Sequence, residues 1–149
     1  MFEDDSNYSP EYLSFPCEDT HDSDPSEYFE PLFEFVSKAK EQNKSDSKSQ
    51  CLIHCTYGKN ISPTFVVAYM MMSSQKQNKH LPLSQALKYV TSKYPGVQLQ
   101  QGMLNSLINL EEQLFEETSM TKVGVKSHNS ARGQGNLRGG RGGKGKRGK

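Results

Sequence analysis

Apolar residues are in short supply in this sequence: they make up 33% of its 149 residues, and the mean hydropathy is −0.79. A chain this polar cannot bury a core along its whole length, so part of it is expected to be disordered. No apolar run nears the roughly 18 residues that cross a bilayer, so no membrane span is expected. No charged-then-apolar leader opens the chain, which argues against secretion. Cysteine is scarce too. Three thiols, Cys17, Cys51 and Cys55, make a poor disulfide framework and point to a reducing compartment, cytoplasmic or nuclear. A zinc site from Cys51, His54 and Cys55 would lack a second Cys/His pair, so neither a metal nor another cofactor is expected. Acidic residues are absent from Met120 onward, where nine Lys/Arg stand, while the remainder carries nine basic residues against 17 acidic ones. The overall charge of +1 therefore hides an acidic body and a basic tail.

What is present divides into three parts. Residues 1–10 are acidic and aperiodic and read as a disordered lead. Residues 11–118 carry the periodic segments of a single domain. Tyr12 to Pro16 is a short candidate strand that leads into an acidic loop, Glu18 to Asp24. Asp24-Pro25-Ser26-Glu27 has the form of a helix start, and Tyr28, Phe29, Leu32, Phe33, Phe35, Val36 and Ala39 make a wide apolar stripe. Pro31 lies inside the stripe, so this helix either kinks there or begins later than the cap suggests. Lys40 to Gln50 is a polar loop. Pro63 to Ser74, capped by Ser62, is apolar almost all round and belongs in the core. Leu83, Ala86, Leu87 and Val90 mark an amphipathic helix that stops at Tyr94-Pro95-Gly96. Gly102 to Glu117 is the last helix, with Met103, Leu104, Leu107, Ile108, Leu114 and Phe115 on its buried side. Residues 119–149 turn to Gly, Arg, Lys, Ser and Asn, a composition that cannot offset chain entropy.

The chemistry is concentrated between Cys51 and Thr64. Cys51-Leu52-Ile53 leads into His54-Cys55, then a short loop, Thr56-Tyr57-Gly58-Lys59-Asn60-Ile61, then Ser62-Pro63 and an apolar run. This reads as strand, tight loop and helix start. Such a loop aims backbone N–H groups and a helix N-terminus at one point, which suits a phosphate and favours the thiolate of a cysteine placed there. On the His-Cys-x-x-Gly residues alone, Cys55 reads first as a core cysteine at a strand end, and Asp19 as a solvated charge in an acidic loop.

The stretch resembles the signature of the cysteine-dependent dual-specificity protein phosphatases: His-Cys, five residues, Arg, then Ser or Thr. His54, Cys55, Gly58 and Ser62 match it, and Ile61 stands where the arginine belongs. The resemblance runs from about Tyr12 to Phe115. Asp19, ten residues before Phe29, matches the general-acid aspartate ahead of the family's Tyr-Phe helix. Thr64 to Met71 matches its Thr-x-x-x-Ala-Tyr-Leu-Met helix, and Gly102-Met103 to Leu107 its last helix. Gln100 takes the place of an asparagine that in the family bonds to the phosphate loop.

The resemblance implies an α/β fold: a small central sheet flanked by about four helices, truncated because the family's strands ahead of Tyr12 are missing. Two strands alone are marginal, so either a partner completes the sheet edge or the gene model is truncated. It also implies roles for the residues. Cys55 is the nucleophile position, Asp19 the general-acid position, and Ser62 the signature's hydroxyl residue, counted with them in the catalytic set. Thr56, Tyr57, Gly58, Lys59, Asn60 and Ile61 form the phosphate loop. An arginine's planar fork holds two phosphate oxygens at once, and an arginine on a transferring phosphoryl group is worth roughly 10³ to 10⁵ in rate elsewhere. Isoleucine supplies none of this, and Lys59 offers only a point charge. The expectation is an inactive, phosphatase-like protein that binds phosphorylated Ser, Thr or Tyr in a partner protein. The first alternative is an RNA-associated protein, because Arg138-Gly139-Gly140-Arg141-Gly142-Gly143 and its neighbours suit residues 132–149 to RNA or another polyanion. The second is a weakly active cysteine-dependent phosphatase.

Overall fold

The computed structural model describes residues 10–42 and 50–122. The acidic lead up to residue 9, residues 43–49 of the polar loop and the basic tail beyond Lys122 lie outside the described residues. Four α-helices build the fold: α1 (Phe29–Gln42), α2 (Ile61–Lys76), α3 (Leu83–Lys93) and α4 (Gln101–Phe115). A single 3-10 turn, Ser26–Tyr28, leads into α1. The Asp24 carboxylate accepts from the Ser26 N–H, as the cap pattern predicts, yet the α-helix proper begins only at Phe29. Pro31 then falls in the first turn of α1, where its missing N–H had no intrahelical partner to lose. The later start of the helix removes any need for a kink.

Helix α2 is the centre of the molecule because it is apolar on nearly every face. It packs against α1, α3 and α4 at once, and Thr64, Phe65, Val67, Ala68, Met71 and Met72 are buried. Against it lie Phe29, Leu32, Phe33 and Val36 of α1, Leu83, Ala86 and Val90 of α3, and Leu107, Ile108 and Leu110 of α4. Phe29 meets Phe65 edge-on at 6.0 Å. Each large side chain taken out of water here stabilises the fold by roughly 1.5–3 kcal/mol. On α4, Leu104, Leu114 and Phe115 are only partly buried, and Ser106 and Glu111 are buried in their stead.

The expected central sheet is absent: among the described residues there is no strand. Tyr12 to Pro16 and Cys51 to His54 do run along the core, and their inward residues behave as strand residues would. Phe15 stacks on Tyr28 at 4.9 Å, and Ile53 packs against the helices. The outward residues face water, Tyr12 at 86% and Leu52 at 82% exposure. A strand is defined by a ladder with a neighbour, and neither segment has one here. The apolar residues that suggested strands pack on one side only. The described part of the chain is therefore an all-helical layer with two irregular segments laid against it.

Candidate active site

The site is built where the segment Cys51 to His54 turns into α2. The turn is possible because Gly58 takes a left-handed conformation, φ +68°, which a side chain would strain. The Tyr94 hydroxyl lies 3.8 Å from where a Cβ on Gly58 would sit, so it borders the loop. Two N–H groups point at the sulfur of Cys55, that of Gly58 at 3.2 Å and that of Ser62 at 3.5 Å, and the thiol itself donates to the Ser62 hydroxyl oxygen at 3.3 Å, a bond the hydroxyl reverses when the sulfur ionises. Burial by itself pushes the Cys55 thiol up, but the Ser62 hydroxyl and the N–H groups of Ser62, Gly58 and Tyr57 together outweigh it and hold the thiol below its ordinary value. Cys17 moves the opposite way. Burial raises it first, and the negative charges of Asp19, the Cys55 thiolate and Glu18 add to the effect.

The structure brings Asp19 to the same place. Its carboxylate accepts from the side-chain amide of Asn60 at 2.7 Å. The acidic loop that carries it is fixed to α4: the Gly102 N–H donates to the His21 carbonyl at 2.8 Å, and the Ser106 hydroxyl to Asp24 at 2.7 Å. A Cβ on Gly102 would collide with the Ser23 carbonyl, so only glycine permits this contact. Burial alone would raise the Asp24 carboxyl, yet the bonds from Ser106 and Ser26 hold it low.

Other expected members of the phosphate loop are less engaged. Tyr57 is exposed, as are Thr56 and Lys59, and Lys59 contributes its carbonyl to the Gln98 N–H at 2.8 Å. Ile61 opens α2 and packs partly against the hydrophobic core. At the arginine position, then, stands an apolar side chain that is part of the packing. Cys51 and His54 are exposed, and among the described residues no group of three or more His, Cys, Asp or Glu is placed to hold a metal ion. No helix among the described residues is long and apolar enough to cross a membrane.

Sequence reasoning placed Asn60 in the loop but missed what it does. Its side chain also accepts from the Gln100 N–H at 2.8 Å, so the link between the phosphate loop and the loop before α4 runs from Asn60 outward. The side-chain carbonyl of Gln100, where the family carries its bonding asparagine, is buried without a partner. A polar residue in the loop facing a substituted one across from it was the available signal.

Residues 2–113 match the family model described as the catalytic domain of dual specificity phosphatases. The chain is 36% identical over 97 residues to dual specificity protein phosphatase 1 of Arabidopsis thaliana, covering 64% of this chain and 43% of that protein. It is 27% identical over 107 residues to dual specificity protein phosphatase 5 of Rattus norvegicus, covering 72% of this chain and 25% of that protein. To human dual specificity protein phosphatase 4 it is 27% identical over 105 residues, 70% of this chain and 24% of that protein. The match thus spans less than half the length of each of these relatives. With its family model matched over most of its length, and a cysteine loop and an aspartate brought together as described, this chain belongs to the dual specificity phosphatase catalytic-domain family.

Proposed function

We propose that this protein binds phosphorylated Ser, Thr or Tyr side chains of a partner protein and does not hydrolyse them. The observation that carries the reading is the pairing of an intact donor cradle around Cys55 with an apolar, core-packed Ile61. The cradle offers N–H groups and a helix N-terminus to an anion. What it lacks is the fork that holds the equatorial oxygens while charge redistributes. Cys55 supplies a thiol whose ionisation is eased by its bonded neighbours, and Asp19 a carboxyl group tied to the same loop through Asn60, but neither replaces the missing guanidinium. Family membership supports the phosphate class of ligand.

The test is hydrolysis of an aryl phosphate. The unmodified protein is expected to show none above background. Ile61→Arg is expected to raise turnover, by up to roughly 10³-fold if the new side chain reaches the loop, and Cys55→Ser in that background to abolish it. Hydrolysis by the unmodified protein that Cys55→Ser removes would overturn the reading and make this a weakly active phosphatase.

A second reading rests on a separate observation, the nine Lys/Arg and no acids from Met120 onward. RNA association through this tail does not depend on the site and can coexist with the first reading.

A further inference from the structure

We infer that Asn60 is the positioning residue of the site, the one side chain that fixes Asp19 and the loop before α4 to the cysteine loop; for its ligand this rests on the anion-binding reading above. Asn60 precedes α2, where a side-chain oxygen ordinarily accepts an N–H of the first turn. It makes no such bond. Its Nδ2 donates instead to Asp19 Oδ1 at 2.7 Å, 41 positions earlier, and its Oδ1 accepts the Gln100 N–H at 2.8 Å, 40 positions later. The side chain is only 5% exposed, and the Asn60 carbonyl takes the Thr64 hydroxyl at 2.8 Å.

Two consequences follow from the chemistry of an amide. A carboxylate only accepts and a backbone N–H only donates, so both partners are satisfied by one side chain only if it donates and accepts at once, with its nitrogen toward Asp19. Because Asn60 does not cap its own helix, the Ser62 N–H is left to Cys55 Sγ. One residue therefore ties the Asp19 carboxyl group to the cysteine loop and leaves a helix N–H free to face the sulfur.

The experiment reverses the bond. In Asn60→Asp, the Gln100 N–H keeps its acceptor, while Asp19 loses its donor and meets a like charge. In the double variant Asp19→Asn with Asn60→Asp, the donor and acceptor are exchanged and net charge is unchanged. Binding of inorganic phosphate is followed through the amide signals of Gly58 and Ser62, and hydrogen exchange at Gln100 and Gly102 is read on the same samples. Asn60→Asp should weaken phosphate binding by about tenfold or more, the scale of one charge-assisted hydrogen bond. It should speed exchange at Gly102 and leave Gln100 protected. The double variant should return both readouts to within about threefold of the parent. Parental behaviour in Asn60→Asp, or a double variant as impaired as the single one, would overturn the assignment. Should Asn60→Asp fail to fold, the double variant still decides, since folding with parental exchange supports the pairing and failure to fold refutes it. A parent protein that binds no phosphate sinks the anion-binding reading alone, and exchange then judges Asn60.

Discussion

At the scale of single residues, the two thiols nearest the site differ in a way that is open to measurement. Donors pull Cys55 down, whereas burial and surrounding negative charge push Cys17 up. In a Cys51→Ser background, which removes the exposed thiol from the same tryptic peptide, iodoacetamide should label Cys55 at a pH where Cys17 is still protected. Ser62→Ala should move the Cys55 labelling midpoint upward, because the hydroxyl is the largest of the lowering influences. The linkage has a definite sign. A thiol depressed in the folded state contributes stability above its ordinary pKa and loses that contribution as pH falls through the depressed value. An unchanged midpoint in Ser62→Ala would remove the hydroxyl from the account. Cys55, Gly58 and Ser62 could be picked out in the sequence because their spacing is fixed by the turn they make, whereas Asp19 was singled out only through the family resemblance. The role of Asn60 within the loop was not legible, since its partners lie 41 and 40 positions away and only folding brings them within reach.

At the scale of elements, the helices were readable and the strands were not, for one reason. A helix satisfies its backbone within itself, so periodicity and caps suffice to find α2 and α3. A strand is a relation between two segments, and Cys51 to His54 carries the apolar run without the relation. Boundaries moved where side chains were diverted: α2 begins at Ile61, two positions ahead of Pro63, because Asn60 and not Ser62 stands at its start. The start of α3 is held from a distance. Glu111, 1% exposed in α4, accepts the Leu83 N–H at 2.8 Å with one oxygen and the Ser119 N–H at 2.9 Å with the other. Glu111→Ala should cost about 2–4 kcal/mol, the scale of leaving two such N–H groups without their charged acceptor. Glu111→Gln, which keeps one acceptor oxygen, should cost less. Urea unfolding midpoints measure both, and equal losses in the two variants would show that packing and not the carboxylate matters there.

At the scale of the whole molecule, charge is sorted along the chain. The first 37 residues contain eleven acids and no lysine or arginine, and the stretch from Met120 onward has the reverse character. If the tail binds RNA, affinity should fall linearly on a log–log plot against salt, with a slope no steeper than about −6 for nine phosphate contacts to a single strand. Deleting residues 120–149 should abolish it. RNA binding that survives the deletion would rule the tail out as its source.

The junction between body and tail is itself part of the fold. Ser119 gives its N–H to Glu111 and its hydroxyl oxygen to the Ser84 N–H at 3.0 Å, and Met120 packs on the core. A chain stopped at Thr118, where composition alone suggests cutting, would open a hole under α3 and leave a buried oxygen of Glu111 facing nothing. Whatever pulls on the basic tail thus pulls first on a staple that holds two helices together.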